Sequence, residues 1–62
     1  MKSVKIMYHK KIGYEYFGII IDADSEHHAK LMLIKNLQLG ISDFNELYEI
    51  DSIESKDMIE GT

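Results

Sequence analysis

The stretch Phe17-Gly18-Ile19-Ile20-Ile21-Asp22-Ala23 runs without a break into Asp24-Ser25-Glu26, and this junction narrows the folds open to the chain more than any other feature. Successive strand residues point to opposite faces. Phe17, Ile19, Ile21 and Ala23 therefore share one face, while Tyr14, Tyr16 and Ile20 share the other, in a strand read as Tyr14 to Ala23. Two apolar faces need two covers. Ala23 leads directly into the next element, so its row is assigned to the core under a helix. Ser25 is the expected N-cap, with Glu26 in the first turn favoured by the positive helix end, and Asp24 is the competing cap one residue earlier.

The helix is expected to run from about Glu26 to Leu39 and to stop at Gly40. At 100° per residue, Ala29, Met32, Leu33 and Leu37 fall on one face, with Asn36 and Leu39 at its margin. Leu31 and Ile34 fall on the far side with His27 and Gln38. An apolar stripe pointing away from the core is a candidate surface for association.

Ahead of the junction, Val4, Ile6 and Tyr8 alternate with Lys5, Met7 and His9, the period-two pattern of a first strand. The polar break from His9 to Gly13 closes a hairpin, with Gly13 free to take a positive backbone angle. Beyond Gly40, Ser42 or Asp43 caps a single turn anchored by Phe44 and Leu47. A third strand follows, in which Tyr48, Ile50 and Ser52 alternate with Glu49, Asp51 and Ile53. Residues 54–62 read as a frayed tail.

These elements assemble into one α+β domain over residues 1–62: a β-β-α-β arrangement with a three-stranded, mainly antiparallel sheet in the order 2-1-3 and one helix on one face. A parallel third strand beside the second is the alternative, since a helix joins them. A chain of 62 residues without Cys has neither disulfides nor thiolate metal sites to supplement a thin core, which favours a homodimer.

Charge is lopsided. Residues 1–12 carry four lysines and no acid, whereas residues 13–62 carry eleven acids against three lysines, and there is no Arg. Nucleic-acid readout commonly uses the bidentate Arg fork and a basic surface, so a nucleic-acid module ranks third among the functional readings. The acids from Asp43 to Glu60 form a field that could mimic nucleic acid toward a basic protein. The apolar runs are too short to span a bilayer and the amino terminus lacks a signal peptide's pattern, so a cytoplasmic, non-membrane protein is expected.

Catalytic chemistry has no foothold. There is no Cys nucleophile, and none of the serines sits in a nucleophile elbow or beside a partnered histidine. His27 and His28 are adjacent, about 100° apart on a helix, which is not the i, i+4 spacing of a helical zinc site. No enzyme activity, metal or other cofactor is expected.

The pattern Phe17-x-Ile19-x-Ile21-x-Ala23-x-Ser25-x-x-x-Ala29, followed by an apolar helix and an acidic strand around Tyr48-Glu49-Ile50, resembles small β-β-α-β proteins of phages and mobile elements, including the DpnD/PcfM-like type and anti-CRISPR or other anti-defence proteins. The resemblance implies a non-enzymatic inhibitor that binds a bacterial host or defence protein and blocks it sterically or by acidic mimicry, in the host cytoplasm. A small structural or regulatory homodimer is the alternative. The candidate interaction surface comprises Tyr14, Tyr16, Ile20, His27, Leu31, Ile34, Glu46, Glu49 and Asp51.

Overall fold

The structure, a computed structural model, describes residues 2–57. Its elements are β1 (Lys2–Lys10), β2 (Tyr16–Ala23), α1 (Glu26–Asn36), α2 (Ile41–Leu47) and β3 (Tyr48–Asp57). The sheet has the order β2-β1-β3, and β1 pairs antiparallel with both neighbours. The α+β class and strand order therefore match the sequence reading, including the return of the third strand beside the first. Both helices supply buried residues to a single core cluster. It contains Val4, Ile6 and Tyr8 of β1, Ile21 and Ala23 of β2, Ala29, Leu33 and Ile34 of α1, and Phe44 of α2. Among the described residues the other sheet face carries no helix, and Tyr16 and Ile20 on it are exposed.

The junction behaves as its residues dictate. Ser25 is the N-cap of α1, and its hydroxyl oxygen accepts the His28 backbone N–H at 3.1 Å. Phe17 and Ile19 lie half-buried against the core, while Ile21 and Ala23 are buried.

Helix α1 stops earlier than the expected Leu39. It ends at Asn36, and Gln38, not Gly40, takes the left-handed turn with φ 60°. Gln38 N–H donates to the Lys35 carbonyl at 2.9 Å and Leu39 N–H to the Ile34 carbonyl at 3.2 Å. This pair of bonds is the Schellman closure, in which glycine is the favoured turn residue. Gln38→Gly is expected to raise stability by about 0.5–1 kcal/mol, because the strain of a left-handed side-chain-bearing residue is removed. Urea unfolding midpoints of the two chains measure it.

The early stop also corrects Ile34. Placed on the outward stripe by helical periodicity, it is buried, only 4% exposed, while its expected companion Leu31 remains 38% exposed. Ile34 sits one residue round from Leu33 and belongs to the same buried cluster as Phe44, against which Leu37 and Leu39 of the following segment pack.

The segment after Gly40 is a two-turn helix and not a single turn. Gly40 is its N-cap, with no side-chain cap bond, so Ser42 and Asp43 lie inside it. Phe44 is buried as expected, but Leu47 is exposed. Helix α2 puts the Phe44 ring 5.5 Å from Tyr48 in a stacked geometry. Tyr48 in turn meets Tyr8 edge-on at 5.7 Å, and Tyr8 stacks on Phe17 at 5.2 Å. Four rings thus close the hairpin end of the core. Burial, reinforced by the neighbouring Tyr48 phenol, pushes the Tyr8 phenol above its ordinary 10.0. The unfolded chain then loses its proton first, so stability is expected to hold through neutral pH and fall as pH rises past about 10. In Tyr8→Phe that alkaline decline is expected to be shallower, as read from denaturation midpoints between neutral and strongly alkaline buffer.

Strand β3 departs from simple alternation. The register with β1 shifts between Met7, opposite Ser52, and Tyr8, opposite Ile50, leaving Asp51 as the extra residue of a bulge. One extra residue reverses the facing of everything after it. Ile53, assigned to the acidic face by alternation, instead lies opposite Ile6 and packs on the core with Tyr48 and Ile50. The strand also continues through residues 54–57, where Lys2 pairs with Asp57, so this part of the expected tail is ordered in the sheet. The rest of that tail, residues 58–62, lies outside the described residues.

Candidate functional site

The helix-free face of the sheet is built in cross-strand rows. Near the hairpin, Tyr16 of β2, His9 of β1 and Glu49 of β3 stand side by side. Further along come Gly18, Met7 and Ser52, then Ile20, Lys5 and Glu54. Met7 folds across Gly18: a Cβ there would lie 2.9 Å from the Met7 sulfur. The strand's lack of a side chain is thus filled from its neighbour.

His9 is the site residue that the sequence does not announce. It ends the polar row of the first-strand pattern, yet within β1 it is only 8% exposed, on the face without helices. Its cover is local. The Tyr16 ring lies 4.9 Å away, centroid to centroid, and the Tyr14 ring 6.2 Å away at an interplanar angle of 19°. Tyr14 is not in β2 as expected. It belongs to the connecting loop with φ 53°, following Gly13 at φ 92°. That left-handed turn is uncommon for an aromatic residue, and here it accompanies the stacking of the phenol ring beside the imidazole.

The third side of His9 is acidic. Its Nδ1 lies 3.0 and 2.9 Å from the two Asp51 carboxylate oxygens, and its Nε2 faces Glu49 Oε2 at 3.5 Å. A carboxylate only accepts, so Nδ1 carries the proton it donates to Asp51. Asp51 is the bulge residue, and the bulge lets two acids of one strand converge on one imidazole. No single-strand pattern announces such a contact, because 42 residues separate the partners.

Of the residues expected at an interaction surface, Tyr14, Tyr16, Glu49 and Asp51 gather round His9, with Ile20 on the same face two rows away. Tyr14, Tyr16 and Ile20 are 69%, 64% and 66% exposed. His27 and Leu31 of α1 and Glu46 of α2 are exposed on the helical side of the molecule. Ile34 is in the core. These residues therefore form two separate surfaces and not one.

The cluster is a platform at the edge of shallow depressions. Of surface depressions of about 280, 300 and 370 Å³, Glu49 lines the second and Ile20 the third, and none of the three is lined by His9, Tyr14, Tyr16 or Asp51. Among the described residues no group of three or more His, Asp or Glu side chains is arranged to hold a metal ion. No helix among them is long and apolar enough to cross a membrane. The platform offers two exposed aromatic rings flanked by two carboxylates, a combination that attracts a cationic side chain through ring quadrupoles and charge together. No family model, curated protein or solved structure matches the chain.

Proposed function

We propose that the chain is a non-enzymatic protein-binding module that acts by occupying a basic patch on a bacterial host or anti-phage defence protein. The observation that carries this reading is the convergence of Tyr14, Tyr16, Glu49 and Asp51 around His9 on a sheet face without helices. Exposed aromatics with a fixed backbone are efficient anchors, because little side-chain freedom is lost on docking. The carboxylates supply charge complementarity toward Lys or Arg of the partner and steer its approach. The acidic balance of residues 13–62 and the resemblance to small phage-encoded proteins favour an inhibitor, with target occupation as the mechanism.

The test is expression in a bacterium carrying an active defence system, together with affinity capture of the tagged chain. Phage plating should rise with the natural chain, and a host complex should be retained in a salt-sensitive manner. Tyr16→Ser and Glu49→Lys, both at exposed positions, should lose capture and plating together while keeping the circular dichroism spectrum. Absence of any retained complex combined with unchanged restriction would sink the proposal.

A further inference from the structure

Among the described residues the sheet has two free edges, and they are built differently. β3 carries Glu49, Asp51, Glu54 and Lys56 and interrupts its ladder with a bulge. Charges and bulges are the devices that keep an edge strand from pairing with a neighbour. β2 has almost none of them: Asp22 is the one charge in Tyr16–Ala23, there is no Pro, and its ladder to β1 is unbroken.

Ladder alternation sets which backbone groups of β2 are free. Lys10 N–H donates to the Glu15 carbonyl at 2.9 Å, so Lys10 and Glu15 form a hydrogen-bonded pair. Every second pair after it is of the same kind, namely Tyr8 with Phe17, Ile6 with Ile19 and Val4 with Ile21. The N–H and C=O groups of Tyr16, Gly18, Ile20 and Asp22 accordingly point away from β1 to the open edge. Side chains along this edge are incompletely covered as well. Phe17 and Ile19 are only half-buried on the helical face, and Tyr16 and Ile20 are exposed on the other.

We infer that β2 pairs antiparallel with β2 of a second copy of this chain, about a two-fold axis normal to the sheet at Ile19. Such an axis keeps each face on its own side, so opposed residues must share a face. Centred on Ile19, the register sets Ile19 against Ile19, Phe17 against Ile21, Gly18 against Ile20, and Tyr16 against Asp22. The half-covered Phe17 and Ile19 cover each other's flanks across the axis. Ile20 of one copy lies opposite Gly18 of the other and packs on the flexible Met7 side chain that folds across it. Asp22 meets a phenol, whereas a register centred on Asp22 would oppose two carboxylates. The occupant is a second copy because this strand, charge-free from Tyr16 to Ile21, complements itself in shape, hydrogen bonding and charge. Pairing merges two sheets and two helix-free faces into one, and it stands independently of the docking reading above.

Because the chain contains no Cys, single cysteines report the register directly. Under mild oxidation Ile19→Cys is expected to form a disulfide-linked dimer, since opposed residues of a non-hydrogen-bonded pair lie about 4.5 Å apart at Cα. Glu54→Cys on the guarded β3 edge should yield at least about tenfold less. Sedimentation of the unaltered chain from micromolar to submillimolar concentration should show reversible dimers. Ile20→Lys, a charge added at an exposed edge position, should weaken them at least about tenfold with an unchanged circular dichroism spectrum. A monomer at every concentration, a dimer indifferent to Ile20→Lys, or equal cross-linking through positions 19 and 54 would overturn the inference.

Discussion

Phe44→Ala is expected to leave the chain largely unfolded at room temperature. Phe44 is 1% exposed and stacks on Tyr48 at 5.5 Å. Truncating a buried Phe costs about 3–5 kcal/mol, from lost transfer free energy and the cavity left behind. A domain of this size without disulfides rarely has more than about 3–5 kcal/mol to lose. The cavity would also open beside Tyr48, at the buried residue by which α2 joins the core. Far-UV circular dichroism and a urea titration decide it. Leu47→Ala on the same helix is the control: at 48% exposure it should shift stability by about 0.5 kcal/mol at most. Equal effects at the two positions would mean that α2 does not dock as described.

His9→Ala is expected to cost about 2–3 kcal/mol, a large share of the total for so small a domain. The substitution removes the charge-assisted bond to Asp51 and the ring that Tyr14 and Tyr16 pack against. His9→Phe separates the two contributions. It keeps an aromatic ring between the tyrosines and abolishes the bond, and Asp51, whose side chain is 37% exposed, can rehydrate. The expected cost is therefore smaller, about 1 kcal/mol. If His9→Phe proved as damaging as His9→Ala, the Asp51 bond and not the aromatic packing would hold the platform. Denaturation midpoints of the two variants at neutral pH make the comparison.

These two sites differ in how far the sequence anticipates them. Phe44 is legible as an apolar anchor two residues after a capping candidate, and the structure buries it. His9 looks like the polar end of a strand. Its burial depends on a tyrosine from the far side of a left-handed turn and on two acids from a strand about forty residues away, and local patterning carries no record of either. The bulge at Asp51 is equally silent. Strict alternation sends Ile53 to the wrong face, because a two-residue period cannot reveal where one residue has been inserted. Ile34 shows the same limit on a helix. Periodicity marks which residues share a stripe, but the number of stripes that become covered depends on where the chain folds next.

What local chemistry fixes in this chain is the order and type of its elements. Alternation in β1 and β2, the Ser25 cap and the positive angle at Gly13 each depend on residues a few positions apart, so short windows of sequence contain the whole cause. Strand order follows nearly as directly, because a hairpin and a covering helix leave few places for a third strand. Which surfaces are left to act is settled by long-range packing. The core cluster takes in Ile34, which helical periodicity alone leaves outside. The bulge turns Ile53 inward and brings Asp51 to His9. Tyr14 leaves its strand to lie beside the imidazole. Each of these depends on free-energy terms shared between distant segments, and such terms take their values only once the segments are in contact.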